Sequence, residues 1–167
     1  MASVFKYITE NAAAHGYGQI EPNHLSAQRT GQIYAQLPID ETAFPNGIEN
    51  GQFAKYNYAE GKVNLGENGG EWMLVFNEVK PYGDRETDAD FILTKNHGAT
   101  PRLFKTNVGD IYTTNAIGET AVAEKDVLKI NAQGILAKDG TSDIEFQVAK
   151  VYTMPDGQPG VKLVRIA

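Results

Sequence analysis

The chain has 167 residues, enough for one domain with a substantial core or one domain plus an arm. A net charge of −6, with lysine and arginine scattered, speaks against a nucleic-acid footprint, and the absence of cysteine removes disulfides, thiolate metal sites and a cysteine nucleophile. Seventeen glycines and eight tyrosines beside a single modest helix candidate make a β-rich composition.

Met1 to Asn11 lacks the charged-then-apolar layout of a leader, and no apolar run approaches the ~20 residues that span a bilayer. A soluble protein made in the cytoplasm is the expectation. Val4, Phe5 and Ile8 fit one side of a short helix after Ser3 or, equally, a strand. Beyond Asn11 the sequence turns polar, and Gly16, Gly18, Pro22 and Gly31 break any long helix. With so few apolar side chains, residues 1–36 read as an extended arm ordered against a partner; the alternative is that they wrap around their own domain.

From Leu37 onward turn signals crowd together at Pro38, Pro45-Asn46-Gly47 and Asn50-Gly51. Two alternating stretches, 51–56 and 61–65, predict a hairpin. Glu67-Asn68-Gly69-Gly70 then turns into Glu71-Trp72-Met73-Leu74-Val75-Phe76-Asn77-Glu78-Val79-Lys80, which contains the only tryptophan. Here Trp72, Leu74 and Phe76 alternate with Met73, Val75 and Val79, so both faces are apolar and the strand is expected to be covered on both sides. Trp72, Leu74 and Phe76, with Phe146 and Val148 later in the chain, are the candidate core anchors.

Asp84, Glu86, Asp88 and Asp90 fall at every second position, as in a calcium loop. Ala89 stands where such a loop needs glycine and Lys95 where it needs a bidentate glutamate, so a solvated acidic loop is the better reading. Strands follow at 91–93, around Leu103-Phe104, at 111–115, 126–130 and 135–136. Ile144, Phe146, Val148, Tyr152 and Met154 alternate on one face, interrupted only by Lys150. Pro155-Asp156-Gly157 then turns into Val161–Ile166. Nine to eleven short strands predict an all-β fold, a compact sandwich or barrel of antiparallel strands over 37–167 behind the arm. Gly51-Gln52-Phe53 and Gly109-Asp110-Ile111 open strands alike, a faint hint of two similar halves, 37–93 and 101–167.

No constellation for catalysis, cofactor or metal emerges. His15, His24 and His97 have no ligand spacing, and Ser3, Ser26 and Ser142 occupy no nucleophile elbow. Glu71 and Glu78, an odd number of residues apart, would face opposite ways on one strand. Tyr56, Tyr58 and Tyr82 fit a sugar-stacking platform, but half-buried strand positions are the plainer reading.

The stretch 47–56 with 71–80, and Pro101-Arg102-Leu103-Phe104-Lys105-Thr106-Asn107-Val108-Gly109-Asp110-Ile111-Tyr112-Thr113-Thr114-Asn115, resemble small β-rich decoration (cement) proteins that coat tailed-bacteriophage capsids. The resemblance runs from about Gly47 to the C-terminus. It implies a non-enzymatic virion protein without cofactor, made in the host cytoplasm and placed on the capsid exterior. Its implied partners are the major capsid protein lattice and neighbouring copies of itself, with neither nucleic acid nor membrane. No residue role transfers by position. Composition alone nominates Val4, Phe5, Tyr7, Ile8, Tyr17, Ile20 and Leu25 as capsid contacts of an arm that adds a strand to the shell. Two alternatives stand beside this. One is another β-rich virion part (tail-tube, head-fibre or head–tail connector subunit); the other is a carbohydrate-binding sandwich using Tyr56, Tyr58, Trp72 and the acidic loop with calcium.

Overall fold

A computed structural model describes residues 20–67, 69–77, 92–93, 100–119, 121–154 and 159–167. In chain order these form β1 (Ile20–His24), α1 (Ser26–Thr30), β2 (Ile33–Tyr34), β3 (Ile48–Glu49), β4 (Phe53–Asn57), β5 (Lys62–Asn64) and β6 (Met73–Val75). β7 (Ile92–Leu93), β8 (Leu103–Phe104), β9 (Ile111–Thr114), β10 (Val127–Ile130), β11 (Leu136–Ala137), β12 (Glu145–Thr153) and β13 (Pro159–Arg165) follow. The strands build a six-stranded sheet in the order β1-β9-β13-β12-β10-β11 and a five-stranded sheet in the order β2-β8-β6-β4-β5, with β3 and β7 as a separate pair. Every one of these pairings is antiparallel, so the all-β sandwich expected from turn spacing is the observed architecture.

The alternation in β4 and β6 generates three layers. Phe53 and Leu74 sit opposite each other in register, and Leu74 in turn opposes Phe104. This row packs between the sheets with Leu128, Phe146 and Leu163. Ala54, Tyr56, Met73 and Val75 point the other way and pack against Ile39, Phe44 and Ile48 from the segment that leads into β4. The middle sheet is therefore buried on both faces, as the doubly apolar run at 72–79 predicts. Leu74, Phe146 and Val148 lie in the core between the sheets. Trp72 and Phe76 are only half-buried at its margin, because they flank a three-residue strand and lie at its two ends. Phe76 rests on Phe104 at 5.4 Å, and the Lys55 ammonium sits 4.4 Å from the Trp72 ring centroid.

The division at residue 36 does not follow the fold. β1 pairs with β9, and β2 with β8. Between them Leu25 and Ala27 are buried in the core between the sheets. α1 is too short to hold itself together; Asp110 ties it down, accepting from Ser26 N at 3.0 Å and from Ser26 Oγ at 2.9 Å while also capping Asn107 N. A segment poor in apolar residues is thus recruited through Leu25 and Ala27, which are buried, and Ile20 and Ile33, which pack against the core. Val4, Phe5, Tyr7, Ile8 and Tyr17 lie outside the described residues.

Nor are 37–93 and 101–167 two units. Residues 20–24 join the C-terminal sheet, and Leu103–Phe104 joins the other, with one core shared between them. The chain changes sheet between Phe104 and Ile111.

Tyr112 is fully buried with its ring edge-on to Phe146 at 5.6 Å, yet its hydroxyl has no hydrogen-bond partner among the described residues. Burial raises its pKa well above the ordinary tyrosine value. An acid whose folded-state pKa is raised keeps its proton in the fold while the unfolded chain ionises, so stability falls as pH climbs past the ordinary tyrosine range. Tyr112→Phe removes an unpaired polar atom at nearly constant shape. It is expected to stabilise the protein by about 1 kcal/mol at neutral pH and to blunt the loss at alkaline pH, both read from denaturant titrations.

Candidate functional site

The two rims of the sandwich differ. At one, the edge strands β5 and β11 are each closed by a neighbouring loop. Ile39 bridges Val63, with Asp40 N donating to Val63 O and Val63 N to Pro38 O, both at 2.8 Å. Ile117 bridges Leu136, with Gly118 N donating to Leu136 O at 2.9 Å. At the other rim lie β1 and β2, joined through α1, and among the described residues no strand pairs with the outer side of either. Unpaired strand edges are templates for another chain, and folds that have no use for them blunt them. Here the blunting is partial: Pro22 lacks an N–H and the register shifts between Glu21 and His24.

β1, which begins at Ile20, forms one side of this rim. Of the two nominated arm contacts that are described, Ile20 is half-buried against the core and Leu25 is buried within it. Leu25 therefore belongs to the domain and is withdrawn as a capsid contact. Burial of Leu25 is not visible in composition; the alternation that reveals β4 and β6 has no counterpart in a strand–helix corner.

A cleft of about 540 Å³ opens at one end of the sandwich, between the 65–72 turn and the 130–144 region of the six-stranded sheet. Its polar groups are largely committed to the fold. Glu71 pairs with Lys105 at 2.7 Å, and this hydrogen bond raises the Lys105 pKa. The Arg165 guanidinium donates to the Thr106 carbonyl and hydroxyl, while burial lowers its pKa. Ser142 Oγ accepts from Ile130 N and donates to Ile144 O, both at 2.9 Å, which is a clamp between strands and no activated nucleophile. Trp72 lines the cleft under the Lys55 side chain.

Tyr56 and Tyr58 do not form a flat stacking surface. Tyr56 is buried with its hydroxyl accepting from Gln36 N at 2.9 Å, whereas Tyr58 is 70% exposed and stands edge-on to it. His24 is exposed on β1. Tyr82, Glu78, His15, His97 and the acidic stretch 84–90 lie outside the described residues. Among the described residues no group of three or more His, Asp or Glu side chains is placed to hold a metal ion, and no helix is long and apolar enough to cross a membrane. No family model matches the chain, and comparison with curated proteins and with solved structures returns no match.

Proposed function

We propose that this chain is a non-enzymatic structural protein of a tailed-phage virion that binds the assembled capsid lattice from outside and stabilises it. The observation that carries the reading is the one-sided rim: among the described residues no strand pairs with the outer side of β1 or β2, whereas β5 and β11 are closed by loops. A rim of this kind suits strand exchange with a shell subunit or a neighbouring copy. The sequence phrases that carry the resemblance form β3, β4, β6, β8 and β9, of which β4, β6 and β8 are the three inner strands of the middle sheet and β8 and β9 flank the crossing between sheets. Many weak contacts on a lattice then reinforce one another through effective concentration.

The carbohydrate alternative loses Tyr56 to the core and one face of Trp72 to Lys55. Connector, fibre and tail-tube roles are separated from decoration by copy number per particle.

The test is co-sedimentation with purified shells of the encoding phage. The full chain is expected to bind in numbers comparable to the major capsid subunit. A chain lacking residues 1–19 is expected to keep its circular-dichroism spectrum and melting temperature and to lose shell binding. No binding by the full chain, or a dozen copies confined to one vertex, overturns the reading.

A further inference from the structure

Along β12 the side chains facing the core are Phe146 and Val148, so regular alternation would bring Lys150 inward next. It does not, because the register slips between Val148 and Lys150: Val148 opposes Leu163, Lys150 opposes Lys162, and Ala149 is the extra residue. Bulges re-aim side chains in this way and are frequent at functional positions. This one turns Lys150 out beside Lys162, and it turns Tyr152 out as well, opposite Gly160, which offers no side chain of its own. Both ammonium groups lie 5.8 Å from the Tyr152 ring centroid. The ring is fixed by its hydroxyl, which donates to Glu21 Oε2 at 2.7 Å and lies 3.1 Å from Thr113 Oγ1.

Two like charges directly opposed across a strand pair are destabilising. Four other lysines are paired: Lys129 with Glu145, Lys138 with Asp126, Lys105 with Glu71 and Lys62 with Asp40, while Lys55 lies over the Trp72 ring. Lys150 and Lys162 have no carboxylate partner among the described residues, on a chain with 21 acidic side chains against 15 basic ones. The carboxylate that shares this face, Glu21, is engaged by the Tyr152 hydroxyl, so the cationic couple on an otherwise acidic molecule is left for an anion supplied from outside.

We propose that Lys150, Lys162 and Tyr152 on the outer face of the six-stranded sheet form a docking patch for carboxylate side chains of an acidic partner protein. Duplex nucleic acid is a poor occupant, because two lysines on a chain of net charge −6 cannot offset a row of phosphates. Clustered glutamates or aspartates match the size and charge of the patch and gain from charge-assisted hydrogen bonds. The patch is distinct from the open rim and stands whether or not the chain coats a capsid.

The probe is poly-L-glutamate, titrated against the full chain at low salt. Wild type is expected to bind saturably. Lys150→Gln/Lys162→Gln is expected to weaken binding by about tenfold or more, whereas Lys62→Gln/Lys125→Gln, of the same net charge, should change it by less than about twofold. The patch variant should melt no lower than wild type, since it relieves a repulsion, and Lys150→Arg/Lys162→Arg should retain binding. Equal loss in both glutamine variants, no loss in the patch variant, or no binding by wild type overturns the proposal. So does tighter binding to duplex DNA or to phosphatidylserine vesicles than to poly-L-glutamate.

Discussion

Deleting residues 1–36 is expected to abolish the cooperative unfolding transition. The deletion removes β1 from the flank of β9, β2 from the flank of β8, and the buried Leu25 and Ala27 from the space between the sheets. Emptying the Leu25 position alone costs about 2–5 kcal/mol by the behaviour of buried leucines. Asp110, almost completely buried, loses both donors from Ser26 and keeps only Asn107 N. Each lost hydrogen bond to this carboxylate costs about 1.5–3 kcal/mol more. Two sheet edges are exposed on top of this, and the whole stability of a domain is only about 5–15 kcal/mol. Calorimetry of the truncated chain should show no unfolding endotherm, with dye binding typical of exposed apolar surface. A chain lacking only residues 1–19 retains all of these contacts and should melt as wild type does. If the chain beginning at residue 37 melts cooperatively near the wild-type temperature, β1, α1 and β2 are ornaments and the domain starts where composition changes.

The contrast between those deletions marks where sequence reading succeeds and fails. β4, β9, β10, β12 and β13 are legible because alternation over four or more residues, bounded by Asn-Gly, Asp-Gly and Pro-Gly turns, has few other solutions. The double-faced run at Trp72 correctly announces a strand covered on both sides, although its one tryptophan ends at the margin. Residues 20–36 are illegible for a physical reason. Ala27 is buried, and nothing in a polar stretch distinguishes an alanine in a core from one in water. The cleft is equally hidden, since its walls come from residues 65–72 and 130–144, whose proximity is a product of tertiary packing alone. Lys150 lies between these cases. It visibly interrupts the alternation of 144–154, and the interruption is a bulge that shifts the register of everything after it, so that Val151 opposes Val161 yet is 41% exposed, and Tyr152 opposes Gly160. A break in period 2 has several physical causes, and only register separates them.

Gly134→Ala is the second large effect expected, and it probes the joint between the sheets. Gly134 lies in the β10–β11 turn with φ +75, where its carbonyl accepts from Phe53 N of β4 at 2.6 Å. A Cβ added there would overlap the Phe53 carbonyl oxygen and come within 3.0 Å of Leu65 Cδ2. The obstructing atom is backbone in the most buried sheet and cannot rotate aside, so relief requires the hairpin to lift and the inter-sheet hydrogen bond to break. Strain at positive φ contributes about 1 kcal/mol, and the overlap with the lost bond adds about 3 kcal/mol. For a chain of this size that lowers the melting temperature by about 10 °C. Gly61→Ala supplies the control, because Gly61 has φ +65 and open space around the added methyl. It carries the conformational strain without the collision and should lose only about 1 kcal/mol. Equal losses in the two variants would mean that the hairpin does not bear on β4; a gap of several kcal/mol places the seam of the sandwich at Phe53 and Gly134.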